Sequence, residues 1–299
     1  MKNNSRLIHL LFLLFLSVYV FGQPSTDYRS SIDQWHQERV EGLKKENGWL
    51  NLVGLYWLKP GKNTFGSGAS NTIVFPKGTI PATAGYFELS DDNTVTVVPQ
   101  PGVIIKVNNT VTDSRIIFHK DSTRTPVISY ENLRWTIIKR DDKIGIRLRD
   151  LKSPDLAAFK GIERFPIAED WKVNAVVAKE GIADRIAITN VLGQTNLQKT
   201  AGKLQFTIHG KPYSLDALDE GGPELFVIFA DSTNRSDTYP SGRFLSVKRP
   251  DAEGKTVIDF NKAYNPPCAF TDFATCPLPP PQNRLDLTIP AGEKKYGNH

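Results

Sequence analysis

The chain has 299 residues, a formal charge of +5, two cysteines and twenty prolines. Its small cationic excess is spread without a basic cluster, which sets aside a nucleic-acid binder. The length suits one large or two ordinary domains.

The first residues, MKNNSRLIHLLFLLFLSVYVFGQ, have the three parts of a secretory signal. Lys2 and Arg6 form a positive start, an apolar run follows, and Val20 and Gly22 are small residues before a cut at Gln23. That run is short for a transmembrane helix, so residues 1–22 read as a removed signal, with a retained anchor as the alternative. The expectation is an exported periplasmic or extracellular protein with no stable membrane insertion.

Residues 28–47 place Tyr28, Ile32, Trp35 and Leu43 near one face, predicting an amphipathic helix within 23–47 that Gly48 ends. The pattern then changes to short β-rich runs: TIVFP, YFEL, TVTVV, VIIKV, RIIFH, PVISY, RWTIIKR and KIGIRLRD. Pro60-Gly61, Asp91-Asp92-Asn93, Asn108-Asn109 and Asp141-Asp142 are turn signals between them. Short alternating strands at this spacing predict an antiparallel sandwich-like domain over 48–150. The Pro-containing passage 151–166 reads as a linker. Strand patterns resume over 167–299, among them QTNLQKTAG, KLQFTIHG, KPYSLDAL and ELFVIFADS, and predict a barrel-like second half. The fold class expected is therefore mainly β, antiparallel, with one N-terminal helix.

Residues 259–284, DFNKAYNPPCAFTDFATCPLPPPQNR, break the pattern. Their prolines remove backbone donors and bar central-strand pairing. Their aromatic residues, however, are those of an ordered segment, which predicts a capping loop over the second half followed by a last strand, RLDLTIP. Cys268 and Cys276 fit a disulfide in an oxidising compartment, with free thiols as the alternative. No metal site is expected from two thiols and scattered histidines, and no cofactor motif is present.

Several of these segments are similar to a known family. WLNLVGLYWLKPGKNTFGS, GIRLRD, FKGIERFP, FADSTNRSDTYPSGRFL, the proline-rich loop and AGEKKY resemble a bacterial family of domains of unknown function, number 1684. That resemblance spans nearly the whole exported chain and implies no chemistry. PGKNTFGSGASNTIVFP with AGYFEL also resembles the opening of forkhead-associated sandwiches. The arginine and the Ser…His pair that read phosphothreonine there are missing, so the likeness implies a sandwich without phosphopeptide binding.

Polar residues concentrate in the last seventy or so positions. Asp231 closes an apolar strand, Tyr239 and Arg243 bracket a turn, and Asp259, Asn261, Tyr264 and Asn265 lead into the proline loop. Arg284, Glu293 and Lys294 follow it. If these converge they form a polar hollow for a small molecule or glycan, with Arg243 or Arg284 gripping an anionic or polyhydroxyl ligand. The alternative function is a non-metal hydrolase with Asp259 and Glu293 as its acid–base pair, which requires both carboxyl groups to face one solvent-open hollow. The same residue types also hold irregular loops together by bonding backbone. Oligomeric state cannot be read from these patterns.

Overall fold

The structure, a computed structural model, describes residues 25–140, 142–178 and 183–297. The signal read over 1–22 lies outside them. Among the described residues no helix is long and apolar enough to cross a membrane.

Helix α1 (Thr26–Lys44) begins where the Ser25 hydroxyl accepts from the Tyr28 amide at 3.2 Å, a side-chain cap for an otherwise orphan donor. It buries Ile32 and Leu43. The chain turns back after Lys44, so tightly that a Cβ on Gly48 would lie 2.1 Å from the Leu43 carbonyl oxygen. Only glycine fits there, which is the physical content of the expected stop.

Eleven short strands follow: β1 (Leu52–Trp57), β2 (Gly61–Gly66), β3 (Ile73–Val74), β4 (Gly85–Leu89), β5 (Val95–Pro99), β6 (Lys106–Val107), β7 (Thr110–Val111), β8 (Arg115–Phe118), β9 (Ile128–Tyr130), β10 (Leu133–Arg140) and β11 (Lys143–Asp150). They form a six-stranded sheet in the order β1-β11-β10-β9-β6-β7 and a five-stranded sheet in the order β3-β2-β4-β5-β8. All pairs are antiparallel except β2 with β3. The alternation in GYFEL and LRWTIIKR sends every second side chain into one core shared by both sheets. Phe65, Phe75, Phe87 and Trp135 lie at its centre, with Phe65 and Phe87 stacked at 4.5 Å. Asn93, Asn108 and Asn109 take positive φ at the turns, a conformation that asparagine tolerates.

After a short helix α2 (Pro154–Ala158), the second half has strands β12 (Lys172–Ala178), β13 (Arg185–Thr189), β14 (Thr195–Ile208), β15 (Lys211–Leu218), β16 (Glu224–Phe229), β17 (Arg243–Lys248) and β18 (Lys255–Asp259). The sheet order is β17-β16-β15-β14-β12-β18, with β13 added on β14. The two ends of that path come together at the β17–β18 hairpin, where the Thr256 hydroxyl donates to the Lys248 carbonyl at 2.7 Å. The sheet thus curls into a nearly closed barrel around Leu204, Leu215, Val227, Leu245, Ile258 and Phe260. QTNLQKTAG and KLQFTIHG, expected as two strands, are one. Ala201-Gly202 forms a bulge rather than a turn, with Gly202 at φ 129° and the register shifting between Thr200 and Gly202.

Besides the β17–β18 junction, which has no ladder, the barrel has a seam between β15 and β16. β15 and β16 share a single paired position, Leu218 with Phe226. The Asn283 side chain fills the gap: it donates to the carbonyls of Asp216 and Ile228, both at 2.9 Å, and accepts from the Asp216 amide at 2.7 Å. RLDLTIP is accordingly not a last strand. Leu285, Leu287 and Ile289 face the barrel core, and the backbone bonds singly to the end of β16 instead of forming a ladder.

Residues 259–284 fold down over the barrel as short 3₁₀ turns and isolated bridges. Phe260 and Phe270 are buried, Tyr264 packs edge-on against Phe244, and Phe273 stays partly exposed. Cys268 and Cys276 are joined in a disulfide, their Cα atoms 6.1 Å apart. Closing so short a loop stabilises the fold by about 2–3 kcal/mol in the chain-entropy account. A C268S/C276S variant should therefore lose about 2–3 kcal/mol in urea unfolding, and a loss under about 0.5 kcal/mol would show that the bond does not brace the loop.

Candidate functional site

The sequence-read polar residues do not meet in one hollow. They are dispersed: two sets are built around buried charges, Asp259 and Asn261 form a separate network, Tyr239 packs in an apolar cluster, and Arg284 stands beside a hollow.

The first set is built on the turn after β16. Asp231 is the N-cap of a 3₁₀ turn, accepting from the Thr233 amide at 2.8 Å, while the Asn234 side chain reaches back to the Asp231 amide at 2.7 Å. Its other carboxylate oxygen accepts from Arg243 at 2.6 Å. The Arg243 guanidinium is wholly buried; it also donates to the carbonyls of Ala291 and Ile289 and lies 5.3 Å from the Phe229 ring centre. Burial pushes this guanidinium down from its ordinary pKa, and the Asp231 charge opposes that. Every strong contact is spent on the protein's own chain, so Arg243 is a strut joining β17 to the C-terminal segment, with no face for a ligand.

The second set ties α1 to the proline loop. The Glu293 carboxylate is wholly buried, accepting from the Asn265 amide at 2.7 Å and lying 3.4 Å from Arg39 Nε, an ion pair without hydrogen-bond geometry. Burial pushes its carboxyl above the usual range, against the pull of Arg39. Arg39 also donates to the Asn265 carbonyl at 2.9 Å and lies over the Tyr264 ring at 4.7 Å. Asn265 donates to the Lys294 carbonyl at 2.8 Å. The Lys294 ammonium sits 5.5 Å from the Phe165 ring centre.

Asp259 belongs to a separate network. It accepts from the Tyr28 hydroxyl at 2.9 Å and from the Asn261 amide at 3.1 Å, capping its own turn. The Asn261 side chain clasps both backbone groups of Ala168. Burial, reinforced by the Asp259 charge, pushes the Tyr28 hydroxyl up. Tyr239 is buried in an apolar cluster with Leu43, Leu50 and Phe270. Asp259 and Glu293 thus share no solvent-open hollow. Glu293 has no exposure, and each carboxylate satisfies amides of a loop that lacks ladder partners.

Arg284, by contrast, borders open space. It stands on the segment that crosses the barrel seam, beside a hollow of about 1390 Å³ over β12, β14, β15 and the start of β18. Among the described residues its guanidinium has neither hydrogen bond nor ion pair, and the same holds for the Lys255 ammonium. Asn174, Gln205 and Asp286 add amides and one carboxylate to the lining. Tyr213 pairs with the core-facing Phe206 and stacks on it at 6.0 Å, so its ring turns to the barrel side, away from the face that carries Asn174, Gln205 and Lys255.

Sequence reasoning missed Arg39 and Asn283. Arg39 carried a readable signal: it lies four residues from both Trp35 and Leu43, which puts a cation on the apolar face of α1. Asn283 carried none, since its role arises where two distant strands part.

Fold and site together define a mainly β protein of two halves, the second a nearly closed barrel capped by a disulfide-braced loop. Residues 157–294, the later part of the chain, match the model of the family described as protein of unknown function (DUF1684). The WLNLVGLYWLKPGKNTFGS and GIRLRD segments precede the matched region. The chain is also similar to an uncharacterised protein of Haloarcula marismortui solved in solution by NMR, with 29% identity over 46% of this chain and 78% of that one and a TM-score of 0.39. No curated protein matches.

Proposed function

We propose that this is an exported binding module whose hollow beside Arg284 takes a polyhydroxyl ligand carrying an anionic group, such as a small acidic glycan. The observation that carries this reading is a pair of uncommitted cations, Arg284 and Lys255, beside a roomy hollow bordered by the amides of Asn174 and Gln205. A guanidinium fork suits a carboxylate, and the amides suit hydroxyls. Export is supported by the N-terminal apolar run and is compatible with a disulfide in the capping loop.

The test is a thermal-shift and calorimetric screen with neutral and uronic-acid oligosaccharides. An acidic glycan at a hundred times its dissociation constant should stabilise the chain by about 2.7 kcal/mol. Arg284→Ala should remove most of that effect while leaving the unliganded midpoint unchanged. If no glycan shifts the wild type, or if Arg284→Ala keeps the full response, the reading fails.

A further inference from the structure

A second cluster of cations lies outside the barrel, on the six-stranded sheet of the first half. Arg147 and Arg149 alternate with the buried Ile146 and Leu148 on β11, so both project from the face opposite the core. Residues two apart on a strand stand about 6.6 Å apart, close enough for both side chains to reach one group. Their cross-strand neighbours are Thr136 and Arg134 on β10 and Leu55 and Leu52 on β1. None of these facing positions supplies a carboxylate.

The neighbouring Arg134 shows what a satisfied cation on this sheet looks like. It donates to Glu46 at 2.8 Å and to the carbonyls of Glu131 and Leu133. Arg147 and Arg149 are different. Both are half-buried, the Nε of each is shut off from solvent with no hydrogen-bond partner, and neither makes an ion pair among the described residues. Arg147 lies 5.4 Å from the centre of the Trp49 ring, its one favourable charge contact among the described residues. Burial, then the adjacent Arg149 and Arg140 charges, pushes the Arg147 guanidinium down to about 10. Two neighbouring half-buried cations without a counter-charge are costly, because desolvation and mutual repulsion both act against them.

We propose that Arg147 and Arg149 form an oxyanion site, taking a phosphate or sulfate group between their two guanidinium forks with the Trp49 ring alongside. Tetrahedral oxyanions match the planar donor array of arginine and would supply the missing charge to both residues at once. This site is independent of the hollow beside Arg284.

Calorimetric titration of the exported chain with inorganic phosphate, at ionic strength held constant with sodium chloride, tests it. The expected result is saturable binding that Arg147→Gln weakens at least tenfold and R147Q/R149Q abolishes, with Arg284→Ala unaffected. A lysine pair, R147K/R149K, keeps the charge and loses the fork. It should also bind at least tenfold more weakly, and it covers the case in which the glutamine pair does not fold. Comparing inorganic phosphate with a sugar phosphate separates two sources of the group. Tighter binding of the ester, lost in Trp49→Ala, assigns an esterified ligand, and equal affinity assigns the free ion. Wild-type protein that takes up no phosphate overturns the proposal, as does a lysine pair that binds it as wild type does.

Discussion

Replacing Arg243 with methionine should cost about 3–5 kcal/mol of folding free energy, the largest single effect expected in this chain. The Asp231 carboxylate would remain buried, with its amide bonds intact but its charge uncompensated. The carbonyls of Ala291 and Ile289 would lose their donor in the same step. The measurement is urea unfolding of both proteins at neutral pH, compared at equal m-value. A double variant, D231L/R243M, removes both charges and should recover much of the loss, since an apolar pair can replace a buried ion pair at little cost. A loss below about 1 kcal/mol for Arg243→Met would mean that Asp231 is not held as a charge at all.

Arg39→Met should come second, at about 3 kcal/mol at neutral pH, and its cost should depend on pH. Glu293 is wholly buried, and Arg39 is the strongest influence opposing the upward push of burial on its carboxyl. Because the folded pKa is raised, the neutral carboxyl favours the folded state. That contribution is fully present below the unfolded value near 4.5 and disappears as pH rises through the folded value. Removing Arg39 moves the folded value further up. The cost of the substitution should then be smallest in acid, where Glu293 is neutral in both proteins, and grow as pH rises through the wild-type folded value, where only the wild type has a partner for the carboxylate. Thermal unfolding across that range checks the sign, and a cost that stays flat with pH would exclude Glu293 as its origin.

Both variants act on the same arrangement. The C-terminal segment has no ladder of its own, so its position depends on side chains that bond backbone from other elements: Arg243 from β17, Arg39 from α1, and Asn283 from within the segment across the seam. These residues are invisible to a reading by motif, because their partners are main-chain groups distant in sequence. Asp231, Asn261 and Asn265 were legible as unusual, but the sequence offers the same residue types for a ligand site and for a loop brace. The choice depends on whether solvent reaches them, and burial settles it here for the brace. Arg284 looked no different in sequence, yet it faces open space, because its neighbours Asn283 and Leu285 turn inward at the seam.

Local patterns were enough for many of the strands, the helix and its stop, the turns and the cysteine pair. Alternation, capping and backbone freedom act over a few residues, and nothing distant overrode them at GYFEL, at Gly48 or at the asparagine turns. The pairing of Arg147 with Arg149 was also present in GIRLRD, though only the sheet showed that no carboxylate faces it. The barrel's seam, the single long β14 and the burial of Glu293 and Arg243 were decided by tertiary structure alone. Each depends on which distant backbone groups are left without partners once the sheets have closed, and a linear sequence does not contain that count.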